Sequence, residues 1–236
     1  MKKTAVNKLL LLLCFLLTSA GLQAQQKVIK KNIPYQQGQQ IQLDLPIAET
    51  IKLSGWDRNE VALVATVNIN NNTLNEALVL EVEESEAAIQ LEASFNEEML
   101  KKGRAADCPG AQTSYREDDG EGYTTCTDIV YELKVPRRAD LKLETISANV
   151  EAEGLQGDNQ IKSISGFIDF SWPQQQEADI YLQSVTGELY TNLDFDILNQ
   201  EKTPPMVGYE LKGKKGDGGP LLELETISSN IYLRKQ

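Results

Sequence analysis

The chain has no histidine. That absence removes Ser-His-Asp and Cys-His nucleophilic systems, and with them every histidine-ligated zinc or non-haem iron site. Positive charge is scarce: 23 Lys and Arg stand against 35 Asp and Glu, a net charge of −12 over 236 residues. Nucleic acid and anionic membranes are poor partners for such a chain, because neutralising phosphate needs clustered Lys and Arg. Aromatic residues make up only 6% of the sequence, with two Trp, and there are three Cys. A phosphate loop is missing too. The glycines of GDGG (Gly216–Gly219) lack the GxxxxGK[ST] frame and read as a tight turn. Helical patterning is nearly absent; Ser94–Lys102 (SFNEEMLKK) offers a single turn at best.

One long apolar run exists, Leu9–Ala20, preceded by Lys2, Lys3 and Lys8 and followed by Leu22-Gln23-Ala24. This is the order of a secretory signal peptide, with cleavage expected after Ala24. The run is short of the roughly 20 residues a membrane span requires. Cys14 lacks the small residues just before it that a lipoprotein signal needs. Loss of the three leader lysines takes the net charge to −15. The remaining length suits one elongated domain or two small ones. Export leaves Cys108 and Cys126 in a compartment where disulfides persist, and an even pair fits one bridge. The alternative is two free thiols. Such a bridge stabilises by roughly 3 kcal/mol through chain entropy.

What is present is period-two patterning. Residues 25–40 form a polar, Gln-rich lead, read as a loose start. From there to residue 135, Ile41, Leu43 and Leu45, then Ile51 and Leu53, then Val61, Leu63, Ala65 and Val67 alternate as strands with one buried face. Asn68–Thr73 (NINNNT) reads as a turn. Residues 99–127 break the pattern and read as a surface excursion closed by Cys108–Cys126. From 136 to 236, four segments align without gaps: Leu143–Ala152 (LETISANVEA), Ile161–Phe170 (IKSISGFIDF), Leu182–Thr191 (LQSVTGELYT) and Leu224–Leu233 (LETISSNIYL). Steps of 18, 21 and 42 separate Ile146, Ile164, Val185 and Ile227. The last step is twice 21, so one copy is expected to be missing or degenerate within Leu198–Gly219. The two identical LETIS copies would then lie about three coils apart. A repeat near 20 residues with strand periodicity indicates stacked coils, since propeller blades are longer.

Within a repeat, the buried parity switches between Thr226 and Ile227, which a straight strand does not allow. A corner does, with Ile227 joining Ile231 and Leu233 on the inward side. Gly166 and Gly187 would permit positive φ there. The expected fold is all-β, a single-stranded β-helix or β-solenoid with coils of about 20 residues, continuous with 41–135. These repeats, together with Gly55–Val61 (GWDRNEV), Val135–Pro136 just before the first copy and the terminal LETISSNIYLRK, resemble the bacterial DUF4097 adhesin family. That resemblance covers most of the mature chain. It implies an exported β-helical repeat protein of the Gram-negative envelope, periplasmic or on the cell surface. It supplies no catalytic residues.

The candidate sites are correspondingly few. Tyr190 and Tyr232 share one outward repeat position with Glu151 and Asp169, and Tyr181 occupies another. Such rings could stack on a sugar or a protein, or simply stabilise the sheet across strands. Trp172 shares parity with Ile168 and Phe170 and belongs in the core; Trp56 packs at its turn. Asp118, Asp119 and Glu121 could offer oxygen ligands to Ca²⁺, but without the EF-hand frame a solvated acidic loop is the better reading. Glu144, Lys162, Gln183 and Glu225 form an outward ladder in which one lysine among carboxylates makes a poor uronate cleft. The leading expectation is a non-enzymatic, cofactor-free adhesion or envelope-interaction protein whose partner is a surface protein or glycan. A carbohydrate-binding or polysaccharide-cleaving β-helix remains the alternative, marked by any groove that sets Lys or Arg beside carboxylates. A purely structural envelope component is the third possibility.

Overall fold

The structure is a computed structural model that describes residues 26–110, 114–118, 121–199 and 208–236. The expected leader, Met1–Ala24, lies outside the described residues. The alternating segments become strands: β1 (Lys27–Pro34), β2 (Gln40–Asp44), β3 (Ile47–Trp56), β4 (Glu60–Ile69), β5 (Leu78–Glu84) and β6 (Ala88–Phe95). After the one-turn helix α1 (Glu97–Leu100) come the small hairpin β7 (Ser114–Asp118) and β8 (Glu121–Thr125), then β9 (Thr127–Pro136). The repeats supply β10 (Asp140–Glu153), β11 (Asn159–Ser165), β12 (Ile168–Trp172), β13 (Ala178–Ser184), β14 (Leu189–Thr191), β17 (Leu221–Thr226) and β18 (Ile231–Lys235). The short β15 (Asp196–Ile197) and β16 (Tyr209–Lys215) fall between them.

Sixteen strands join through mixed parallel and antiparallel pairing, and they separate into two layers that share β10. Sheet I runs β5-β6-β2-β10-β11-β17-β13-β16-β15 and uses the first half of β10. Sheet II runs β1-β4-β9-β3-β10-β12-β18-β14 and uses its second half. The middle of each sheet is parallel. The flanking strands β5, β16, β15, β4 and β1 pair antiparallel. Each repeat is therefore an arch, one strand in each sheet with a corner between.

Like residues stack in register. In sheet I, Leu91, Leu43, Leu143, Ile161, Leu224 and Leu182 form one buried ladder. In sheet II, Tyr131, Ile51, Val150, Ile168 and Ile231 form another, with Leu53, Ala152, Phe170 and Leu233 beside it. The ladders face each other in one core. Each fully buried Leu, Ile or Phe contributes roughly 1.5–3 kcal/mol. Trp172 lies in that core with no exposed surface. Tyr131 is as deeply buried, its hydroxyl has no partner among the described residues, and burial pushes its pKa up.

The order of the arches departs from sequence order. The last repeat, β17–β18, inserts between β11–β12 and β13–β14. One arch, not three, therefore separates the LETIS copies. After Trp172 the chain skips one strand position, builds β13–β14 and returns through β16, which pairs antiparallel to β13. The C-terminal arch then fills the open slot. The expected missing copy within Leu198–Gly219 is replaced, in its described part, by this returning strand.

The corner also differs. Thr145, Ser163, Ser184 and Thr226 keep the inward position, each at most 5% exposed. Ile146, Ile164 and Ile227 point outward, at 54%, 47% and 47%. The bend opens backbone carbonyls, and small hydroxyl residues can serve them from inside. Ser184 Oγ donates to the Ser229 carbonyl at 2.8 Å and accepts from Gly187 N at 2.9 Å. The next residue is then turned away from the core. Gly166 takes φ +130° as expected, whereas Gly187 is needed for space: a Cβ there would sit 1.7 Å from the Ser229 carbonyl oxygen.

The lead 25–40 contains β1, which pairs along its whole length with β4 and half-buries Ile29. Its outward Lys30 and the neighbouring Lys31 suit an exposed edge. Cys108 and Cys126 are bonded, with Cα atoms 5.9 Å apart. Buried Asn70, in the left-handed conformation at φ 48°, ties this segment down: its side chain donates to the Thr124 carbonyl at 2.9 Å and accepts from Cys126 N at 3.0 Å.

Candidate functional site

Strict alternation gives each sheet a second face, turned to solvent, and the two outer faces differ. On sheet I the predicted ladder is present in the order Glu144, Lys162, Glu225, Gln183. Four of its lysines meet carboxylates, while the row continues from Glu144 through Asp44, Glu92 and Glu81, like charges that make no ion pair among the described residues. Lys142 reaches Glu144 at 2.8 Å; Lys162 reaches Glu225 at 3.0 Å and Glu223 at 3.7 Å; Lys212 reaches Glu210 at 2.6 Å; Lys214 reaches Asp179 at 3.6 Å. The hydrogen bond and charge of Lys142 hold Glu144 below the usual carboxylate range. Tyr181 belongs to this face, with Lys212 Nζ 5.5 Å from its ring centre and its hydroxyl bonded to Gln183.

On sheet II two outward rows cross the strands. One reads Ala62, Lys134, Ser54, Glu153, Ser171, Arg234. The other reads Val64, Glu132, Lys52, Glu151, Asp169, Tyr232, Tyr190. In the first row small residues alternate with long charged ones, which leaves hollows between the long side chains. The result is an open groove of about 740 Å³ that Trp56 and Arg58 border at the β3–β4 turn. Trp56 is half-buried; its Nε1 donates to the Glu60 carbonyl at 2.9 Å. Arg58 lies 4.9 Å and Lys134 5.9 Å from its ring centre.

Little on this face is neutralised internally. Arg58 pairs with Glu60 at 3.4 Å, and Arg234 with Asp169 at 2.7 Å. Among the described residues Lys52 and Lys134 make no ion pair, and neither do Glu132, Glu151 or Glu153. Glu151 stands directly opposite Asp169, a like-charge cross-strand pair that costs stability. The groove continues to an aromatic cluster. Arg234 lies 5.2 Å from the Tyr232 ring centre, Tyr232 stacks on Tyr190 at 5.1 Å and 9°, and Phe167 meets Tyr232 edge-on at 6.2 Å. The Tyr190 hydroxyl donates to the Glu188 carboxylate, which holds its pKa up.

Of the three tyrosines singled out from the sequence, two are therefore together and Tyr181 is on the opposite side. Trp56, Lys52 and Lys134 were not signalled. Trp56 ends β3, and the groove beside it is completed by β9 and β10, distant in sequence. The side chains of Asp118 and Glu121, and Asp119 altogether, lie outside what is described. Among the described residues no cluster of three His, Cys, Asp or Glu is arranged to hold a metal ion, and no helix is long and apolar enough to cross a membrane.

The fold has a solved counterpart. A protein of Clostridium sporogenes described as a candidate cell adhesion protein superposes with a TM-score of 0.52 at 12% identity, over 90% of this chain and 100% of that one. Candidate adhesins of Bacteroides fragilis (10% identity, 92% and 100% coverage) and Parabacteroides distasonis (10%, 90% and 98%) match with TM-scores of 0.23 and 0.24, values that carry no argument. No protein-family model matches the chain, and no curated protein matches it.

Proposed function

We propose that this chain is an exported, non-enzymatic adhesion or cell-envelope contact protein of the DUF4097 kind, a β-solenoid whose stacked arches present flat faces, and that the outer face of sheet II is its contact surface. The observation that carries this reading is the groove: Lys52, Lys134, Glu132, Glu151 and Glu153 stand unpaired around a half-buried Trp56. Unpaired acids also stand on sheet I, in the row Glu144, Asp44 and Glu92, so what marks this face is the pair of unpaired lysines beside the indole. A contact surface gains from them, because such groups are free to meet a partner. Indole and guanidinium groups are also the side chains that most often dominate binding energy. The Cys108–Cys126 bond suits an oxidising compartment, and the fold shared with a candidate cell adhesion protein supports the direction.

A second reading has its own observation. The groove sets Lys and Arg beside carboxylates, the marker expected of a carbohydrate-binding or carbohydrate-cleaving β-helix. The test of the contact surface is direct: bind the labelled mature chain, from Gln25, to purified bacterial envelope and to host-cell surfaces, in parallel with Trp56→Ala and Lys134→Glu. Saturable binding that both variants lose supports it. Binding that both variants retain in full would falsify it. Release of soluble sugar from either surface by the parent protein would favour cleavage.

A further inference from the structure

Resting on that reading of the sheet II face, we infer that its ligand is an extended, uncharged carbohydrate chain that runs from Trp56 to the Tyr232–Tyr190 pair. Three observations converge. The first is spacing. Lys52 is in register with Glu151, Asp169 and Tyr232, so Tyr232 stands three strands from β3, and Trp56 stands four residues further along β3. With strands about 4.8 Å apart and about 3.3 Å per residue, the two aromatic stations are about 20 Å apart on one surface. A single sugar does not reach both; a chain of several does.

The second is charge. Four basic residues, Lys52, Arg58, Lys134 and Arg234, are interleaved along the groove with five acidic ones, Glu60, Glu132, Glu151, Glu153 and Asp169, so donors and acceptors are mixed and the signs are nearly balanced. A polyanion would meet five carboxylates and a protein of strongly negative net charge. A polycation would meet the lysines and the arginines. Hydroxyl groups, which donate and accept at once, can bond to both. The third is surface. Ala62, Ser54 and Ser171 leave open places in the floor, and at the two ends the Trp56 ring, once Arg58 moves off it, and the exposed Tyr190 ring give apolar faces on which the C–H side of a pyranose can lie.

The test is calorimetric titration of the mature chain with neutral oligosaccharide series (gluco-, xylo-, manno- and N-acetylglucosamine), each from monosaccharide to hexasaccharide, with an oligogalacturonate series as the charged control. For at least one neutral series, affinity should rise with length and then level off, and should exceed that of uronate of equal length. Trp56→Ala should weaken binding about tenfold at every length, the size of effect expected when an aromatic anchor is lost. Trp56→Phe should retain most of it. Tyr232→Ala should weaken only the longer members. Urea midpoints of the variants establish that they remain folded. Length-independent affinity, preference for uronate, or unchanged binding by Trp56→Ala would each overturn the inference. So would silence across all neutral series; if the groove variants still lost envelope binding, the contact surface would stand and its ligand would be a protein.

Discussion

The two outer faces of the molecule are built on the same arches, with the same register and the same period of two, yet they differ in how they treat their lysines. On sheet I, Lys142, Lys162, Lys212 and Lys214 are each within ion-pair distance of a carboxylate, and the unpaired groups are acids, Asp44, Glu92 and Glu81, in one row with Glu144. Sheet II leaves Lys52 and Lys134 unpaired among the described residues and sets Glu151 against Asp169. Ladder geometry places residues opposite one another; it does not make them pair. Both faces therefore carry unmet charge. Sheet II sets its unmet lysines around a tryptophan, and that combination prepares it for contact.

The largest expected effect removes the distinction by breaking what both faces share. Leu224→Ala opens a cavity in the ladder between Ile161 and Leu182. It should cost roughly 3–4 kcal/mol in urea denaturation and loosen both faces together. Reducing Cys108–Cys126 should come next, at roughly 2–3 kcal/mol. Its effect should be one-sided, because Cys126 precedes β9, which forms a wall of the groove, while sheet I begins elsewhere. Hydrogen exchange on the reduced protein should show faster exchange at the start of β9 and little change in β11 or β13.

Smaller effects test sheet I alone. Lys162→Met removes the ion pairs to Glu225 and Glu223. The lysine side chain is 43% exposed, so solvent screening leaves a cost of only about 0.5 kcal/mol, with groove binding untouched. Glu223→Gln should do less and in the other direction. Burial first, and then the neighbouring Glu225, raise the Glu223 pKa above the ordinary 4.5. An acid with a raised folded-state pKa supports the fold when protonated and loses that support as pH rises through the raised value. The glutamine variant should therefore equal the parent below pH 4.5 and exceed it slightly at neutral pH. A parent more stable than the variant at neutral pH would reverse this sign.

Much of the architecture was legible in the sequence because a period of two and four alignable copies leave few choices. The inward ladders, the outward run of Glu144, Lys162, Glu225 and Gln183, the core place of Trp172 and the joint position of Tyr190 and Tyr232 all follow from parity. The spatial order of arches did not follow. Near-identical copies are interchangeable neighbours, so their side chains carry no instruction on which lies beside which. Ile227 was placed inward because parity is undefined at a corner, and the hydroxyl of Thr226 decides it by staying inside. The groove was the least legible. Trp56 continues the outward parity of Lys52 and Ser54, but what makes it a site arrives from strands as distant as β9, β10 and β18.

The measurement that tests the account most directly compares one charge reversal on each face. Lys134→Glu alters the sheet II groove; Lys212→Glu alters sheet I at a comparably exposed strand position. Binding of both variants to the surface that captures the parent chain should be measured side by side, with urea midpoints to show that each is folded. Lys134→Glu should lose binding and Lys212→Glu should keep it. Equal loss in both, or loss confined to Lys212→Glu, would contradict the choice of sheet II as the contact surface.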